Sequence, residues 1–168
     1  REALCTLGNG YIATRGAFEE QKADRQSHYP GTYLACGFNR LQSQIQDKTI
    51  ENEDLVNWPN WLYMTFKPAK GPWLDPDQFE ILEFDFTLDL LKGALIRTMR
   101  VKDPEGHITH LTSRRIVSMA DPHLAAIQWT LTPENWSGNL HFYTEIDGAI
   151  TNDGVPRYRA LNGQHLET

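Results

Sequence analysis

Two short stretches of the sequence combine polar side chains with unusual backbone, the combination that recognition of a ligand requires. The first is Thr6–Gly16, in which three glycines within nine residues frame Arg15. Glycine is used where φ is positive or where another backbone or a ligand comes close. The planar guanidinium of Arg15 offers a fork of donors to an oxyanion or a carboxylate. Two interpretations are open: a rim loop that touches a polar ligand or a neighbouring domain, and a hairpin turn whose arginine pairs with an acid.

The second stretch is centred on Pro59 and contains two asparagines and two tryptophans, namely Asn57, Trp58, Asn60 and Trp61. Proline cannot donate to a strand ladder, so strand pairing should lapse at this point. Indole faces stack on pyranose rings and amides bond hydroxyls, so a sugar site is one interpretation. The other is that the tryptophans close one end of the core, as large aromatic side chains usually do, while the amides bond nearby backbone.

Other patterns that resemble chemical motifs are not supported by their context. Gly8–Ala13 fits the loose dinucleotide fingerprint, but that motif requires a strand before it and a helix after it, and neither is indicated here. His107 and His110 are three apart on a predicted strand, so their imidazoles point to opposite faces and no metal site is expected. The acidic residues between Glu83 and Asp89 alternate with apolar ones and are expected to form a solvated face rather than a catalytic pair.

Composition limits the class of protein and its partners. A chain of 168 residues has the size of one domain, and its net charge of −6 argues against a nucleic acid or an anionic membrane as partner. No apolar run is long enough to span a membrane. Cys5 and Cys36 form neither a metal pattern nor a disulfide framework, which favours reduced thiols in a cytoplasmic protein. Because the chain begins at Arg1 and ends abruptly, we expect residues 1–168 to be one domain cut from a longer protein.

The elements that must position these residues are predicted to be strands. Apolar and polar residues alternate with a period of two, most clearly over Leu82–Leu90, and turns rich in Pro, Gly and Asp separate the segments. No long helical pattern lies between them, which favours an antiparallel all-β architecture. Leu41–Asp54 is polar without a clear period and is predicted to be an exposed loop, with a short strand near Ile45 as an alternative within it. We therefore predict a two-sheet antiparallel β-sandwich, with a closed barrel as the alternative.

An ordered set of short motifs resembles one family along nearly the whole chain. The motifs are Thr6–Tyr11, Arg15–Gly16, Phe18–Glu20, Leu55–Leu62, Thr87–Asp89, Ser113–Arg115, Ser118–Asp121, Thr132–Asn135 and Thr151–Pro156. In this order they resemble the first domain of family 65 glycoside hydrolases. That family contains the maltose, trehalose and kojibiose phosphorylases and related α-glucoside hydrolases. Leucine often stands in the family where this chain has Trp58.

The resemblance implies a galactose-mutarotase-like β-sandwich that precedes an (α/α)6 catalytic barrel. In the family the general acid is a glutamate of the barrel, so no catalytic residue is expected within this chain. No cofactor or metal is expected, and inorganic phosphate would be a co-substrate of the longer enzyme if it is a phosphorylase. The implied partners are the barrel, an α-linked glucose disaccharide at the shared site, and a second copy in a homodimer. Residues expected at the active-site rim are Arg15, Asn57, Trp58, Asn60 and Trp61.

The implied function is therefore that of a non-catalytic domain, which supports the barrel, shapes the active-site rim and contributes to dimerisation. Two alternatives from other classes stay open. An autonomous carbohydrate-binding module would show at least one tryptophan more than half exposed, among Trp58, Trp61, Trp73 and Trp136. A mutarotase-like epimerase would need a histidine and a glutamate facing one cleft, and the candidate histidines are His107, His110, His123 and His141.

Overall fold

The computed structural model describes residues 2–24, 27–153 and 160–167, and within them it contains strands and no helix. The strands are β1 (Leu7–Gly8), β2 (Ile12–Thr14), β3 (Thr32–Leu34), β4 (Phe38–Ile45), β5 (Lys48–Leu55), β6 (Met64–Pro68), β7 (Glu80–Asp89), β8 (Ala94–Lys102), β9 (Ile108–Val117), β10 (Ala125–Pro133) and β11 (Leu140–Thr144). The last residues of the Thr151–Pro156 motif, from 154 onward, lie outside the described residues.

The strands form a sandwich around one four-stranded antiparallel sheet, and the prediction of an all-β sandwich is confirmed. This main sheet has the order β10-β9-β8-β7, so its neighbours in space are also neighbours in the chain. The β11-β6 pair and the β1-β2-β3 sheet lie over its inner face. Phe66 of β6 packs against Met99 and Leu111, whereas Leu7 of β1 packs against Leu95. The described sheets do not close into a barrel.

The two faces of the main sheet follow from the period-two pattern. Successive side chains of a strand point to opposite faces, so Leu95, Met99 and Val101 of β8 share the inner face and are buried. Glu83 and Asp85 of β7 lie on the outer face and are exposed. The carboxylates of this strand therefore form the solvated face that the sequence predicts.

The segment predicted as a loop over Leu41–Asp54 is instead a hairpin, and that prediction was wrong. Strands β4 and β5 pair along their full length around a two-residue turn, in which Gln46 has a φ of 54°. Cross-strand polar contacts replace apolar alternation here: Arg40 Nε lies 2.6 Å from Glu53 Oε2, and Gln44 Nε2 lies 2.6 Å from Thr49 Oγ1. Side-chain pairs across the strands thus specify this hairpin without a buried face.

Candidate functional site

Arg15 is held by its own neighbourhood rather than extended into solvent. Its Nε donates to the Tyr29 carbonyl at 3.0 Å, its guanidinium lies over the Tyr29 ring at 5.2 Å, and Nη2 is 3.5 Å from Glu2 Oε2. The glycines around it act as expected: Gly10 has a φ of 89°, and a Cβ on Gly16 would lie 2.5 Å from the Cβ of Cys5. The arginine therefore pairs with an acid, as one of the two interpretations states, and 27% of its side chain stays accessible.

Glu2, the acid beside Arg15, is tied to a buried histidine. Glu2 Oε1 lies 2.8 Å from His28 Nδ1, and Glu2 Oε2 accepts a hydrogen bond of 3.1 Å from the backbone amide of Tyr29. Burial raises the pKa of Glu2, but the hydrogen bonds from His28 and Tyr29 outweigh it and hold the pKa below the ordinary value. Glu2 therefore stays ionised beside the guanidinium.

Both asparagines of the tryptophan segment are buried and bonded to backbone. Asn57 Oδ1 accepts from the Thr32 amide at 3.0 Å, and Asn60 Oδ1 accepts from the Leu62 amide at 3.1 Å. Each side chain is 1% exposed. The backbone of Asn60 exchanges two hydrogen bonds of 2.9 Å with Asp147. These amide oxygens hold the segment in place, and a role toward sugar hydroxyls stays a prediction.

The tryptophans of the segment are partly buried. The indole of Trp58 packs on Gly37, and a Cβ added to that glycine would lie 2.7 Å from the indole Nε1. This nitrogen is buried and has no hydrogen-bond partner among the described residues. Trp61 and Trp136 are partly buried as well, and Trp73 is 40% exposed. None of the four tryptophans is thus more than half exposed, so the platform expected of an autonomous carbohydrate-binding module is not present.

The structure brings the two predicted segments together at the start of β3. The backbone amide of Arg15 donates to the Gly31 carbonyl at 2.8 Å, and the amide of Trp58 donates to the Thr32 carbonyl at the same distance. Asn57 bonds the amide of that same Thr32. Arg15 and the tryptophan segment are therefore neighbours across β3, although more than forty residues separate them in the sequence.

A buried cluster of four charges, which the sequence did not predict, lies beneath this region. We call Glu19, Glu20, Arg97 and Arg115 the arginine–glutamate cluster; each is at most 5% exposed. Arg97 donates to both carboxylates at 2.6 to 2.7 Å. Arg115 donates to Glu19 and to the carbonyls of Arg15 and Ala17. The one available signal was that Arg97 and Arg115 occupy inward positions of the period-two pattern.

The arginine–glutamate cluster is electrically balanced, because it joins two arginines to two glutamates. Burial raises the pKa of Glu19, but the charges of Arg97 and Arg115 outweigh burial and hold it below 4.5. Burial lowers the pKa of Arg97, and the carboxylates of Glu20 and Glu19 raise it above its usual range. A carboxyl held ionised in this way does not supply the proton that a general acid must donate. The cluster fastens the Gly16–Glu20 segment to β8 and β9.

The histidines and acids do not assemble a metal site in the described part of the chain. His107 Nδ1 lies 2.8 Å from Asp103 Oδ2, inside the turn between β8 and β9. His123 packs edge-on against Tyr11 with 4.4 Å between ring centroids. Neither contact favours the epimerase alternative. No helix among the described residues is long and apolar enough to cross a membrane.

The comparisons with known proteins identify the family. The model of the glycosyl hydrolase family 65 N-terminal domain matches residues 1–168. The chain belongs to this family. An uncharacterized glycosyl hydrolase of Mycobacterium tuberculosis, Rv2006, is 45% identical over 168 residues, and the chain spans 13% of its length. Kojibiose phosphorylase of Caldanaerobacter subterraneus is 36% identical over 167 residues, and the chain spans 20% of it.

A solved structure supports the same fold. A putative kojibiose phosphorylase from the human microbiome superposes with a TM-score of 0.67 at 21% identity, covering 79% of this chain and 18% of that one. Within this family 65 N-terminal domain, motifs that are distant in sequence meet in pairs. Glu19 binds Arg115 and Ser113, and Asn152 accepts from the amide of Asn57 at 2.8 Å. The ordered motifs of the sequence therefore form contacts that hold the fold.

Proposed function

We propose that this chain is the non-catalytic N-terminal domain of a longer α-glucoside phosphorylase or hydrolase. In that protein it supports a C-terminal catalytic barrel, shapes the rim of the active site and contributes to a homodimer. The substrate class is an α-linked glucose disaccharide, because the chain is similar to kojibiose phosphorylases and to an α,α-trehalose phosphorylase of Thermoanaerobacter brockii. Phosphate is the co-substrate if the protein is a phosphorylase. The free Cys5 and Cys36 fit a cytoplasmic location.

The state of the buried carboxylates is the observation that carries the proposal. Three carboxylates are buried in the described residues: Glu19 and Glu20 bind arginines, and Asp103 bonds the amides of Glu105 and His107. Glycoside cleavage requires two carboxyl groups that flank a bound sugar, one of them able to donate a proton. All three are occupied by arginine or backbone donors and are not placed to flank a sugar, which favours a catalytic centre elsewhere in a longer protein.

The meeting of Arg15 and the tryptophan segment at β3 supports a role at the active-site rim. Arg15 and Trp58 keep part of their surface accessible, and their backbones are fixed by hydrogen bonds to Gly31 and Thr32. A rim residue must be held still if it is to position a sugar, because loosely held contacts lose much of their effect. Asn57 and Asn60 then act by fixing the segment, and Trp61 offers the ring that stacks on the sugar.

Activity measurements test the two parts of this proposal separately. We expect the 168-residue chain to release no glucose 1-phosphate and no glucose from kojibiose, trehalose or maltose, whereas the full-length protein cleaves one of them. In the full-length protein, Trp61→Ala should raise KM with a smaller effect on kcat, and Trp73→Ala serves as the matched control. Cleavage by the chain alone would contradict a non-catalytic domain. An unchanged KM in Trp61→Ala would remove this residue from the rim.

A further inference from the structure

Four apolar side chains lie exposed on two adjacent turns at one end of the main sheet. Leu90 and Leu91 form the tip of the β7–β8 turn, at 84% and 95% exposure, and the β9–β10 turn presents Met119 at 80% and Leu124 at 52%. We call these four residues the leucine end. The paired row Asp89–Ala94–Ile116–Ala126 closes the sheet beneath both turns, so the turns are neighbours. Single exposed leucines are ordinary, but a contiguous apolar patch marks a contact surface.

Hydrogen bonds fix the backbone of both turns, so the positions of these four side chains are defined. The Lys92 amide donates to Asp89 Oδ1 at 3.0 Å, and Gly93 adopts a φ of 58°. In the other turn, the Ser118 amide donates to the Leu124 carbonyl at 2.9 Å, and Asn9 Nδ2 donates to the Ser118 carbonyl at 2.6 Å. Turn tips usually carry Gly, Asn, Asp or Ser. Leucine and methionine are therefore not the residues that the turn conformation itself favours at these positions.

The opposite end of the same sheet shows that apolar tips are not a general property of this fold. The β8–β9 turn exposes Pro104 and Glu105, and the segment after β10 exposes Glu134 and Asn135. Asp103 and Asn135 bond the backbone there, as polar turn residues normally do. The end of the sheet at the β8–β9 turn is thus suited to contact with water, whereas the leucine end is suited to contact with another apolar surface.

We infer that the leucine end is the surface on which the C-terminal catalytic part of the same polypeptide packs, an inference that rests on the proposed function. The chain spans only 13% of Rv2006 and 20% of the kojibiose phosphorylase, so most of such a polypeptide is available to cover the patch. Lys92 is the one lysine or arginine in these two turns, and its Nζ lies 3.1 Å from Asp89 Oδ2. Its charge is therefore matched within the turn, and the four exposed apolar side chains favour an apolar protein surface over a phosphate or an anionic lipid as the occupant.

Oxidation of Met119 by hydrogen peroxide tests this directly, because peroxide converts an accessible thioether into a sulfoxide. Met119 is 80% exposed and Met99 is 2% exposed, so Met99 is an internal control for unfolding. Peptide mass spectrometry would compare the dilute 168-residue chain with the full-length protein. We expect Met119 to oxidise rapidly in the chain alone and to be protected in the full-length protein, with Met99 protected in both.

A double substitution on the other turn links the protection to docking. Leu90→Ser with Leu91→Ser should abolish the protection of Met119 in the full-length protein and leave its oxidation unchanged in the chain alone. Ile146→Ser, at another residue with 74% exposure, is the matched control and should leave the protection intact. The inference is supported if Met119 loses its protection in the double variant of the full-length protein and keeps it in Ile146→Ser.

The remaining outcomes separate this inference from the proposed function. Rapid Met119 oxidation in a full-length protein that cleaves its disaccharide would overturn the docking surface and leave the function standing. Protection in a full-length protein without glycosidic activity would support the docking surface and count against the function. Protection of Met119 in the chain alone that grows with concentration would assign the leucine end to a second copy and overturn the inference.

Discussion

At the scale of single residues, the arginine–glutamate cluster is the least ordinary feature of this domain. Four formal charges lie at most 5% exposed beneath the Gly16–Glu20 segment, and nearly all of their hydrogen bonds join one another or nearby carbonyls. Removing charges from water is costly, and their mutual attraction offsets that cost only while every partner is present. The cluster therefore makes each of its members sensitive to substitution.

We predict that Glu19→Gln destabilises the domain strongly, by about 3 to 5 kcal/mol, because Arg115 and Arg97 would lose a buried counter-charge. The free energy of unfolding in urea measures this change. Glu53→Gln is the control, since it also breaks an arginine–carboxylate contact but at a solvent-exposed site, and little change is expected there. Equal effects of the two substitutions would contradict the role given to the cluster.

At the scale of elements, Asn57 fixes the tryptophan segment at two points. Its side chain accepts from the Thr32 amide of β3, and its backbone amide donates to the side chain of Asn152. We predict that Asn57→Ala costs about 1 to 3 kcal/mol of stability, because the buried amide of Thr32 would lose its acceptor. Thermal unfolding of the 168-residue chain measures it, with the exposed Asn139→Ala as control. A variant of wild-type stability would mean that Asn57 is not required to hold the segment.

A strand is predicted well from the sequence when it buries one face and exposes the other. Strands β8 and β9 bury alternate residues, and β7 and β10 place partly buried apolar residues on the same face, so hydrophobic alternation predicts them well. Strands β4 and β5 bury little and pair through polar side chains such as Arg40 and Glu53. Hydrophobic alternation therefore does not predict these two strands. The resemblance predicts the fold class, but it did not reveal that Glu19 would meet Arg97 and Arg115 across the sandwich.

At the scale of the whole molecule, carboxylates held ionised by their partners make stability depend on pH. The pKa values of Glu2 and Glu19 lie below 4.5 in the folded state. Their contribution is therefore complete above pH 4.5 and is lost as the pH falls through the lower folded values, because protons then bind the unfolded chain first.

We expect the urea midpoint to be nearly constant above about pH 5 and to fall below it. Measuring this midpoint across the acidic range checks the expectation, and Glu2→Gln should make the fall shallower. A midpoint that rises on acidification would contradict the charged state assigned to these carboxylates.

The pairing of β6 with β11 bears on how the chain acquires its structure during synthesis. The strands of the main sheet lie between these two in the sequence and join one another through short turns, so they close small loops. Pairs that close long loops form more slowly than local hairpins. We expect the meander to form first on the ribosome, with its apolar inner face incompletely covered until the strand at Leu140–Thr144 emerges and pairs with β6. The interval in which a chaperone is most needed is thus the one between the synthesis of β10 and that of β11.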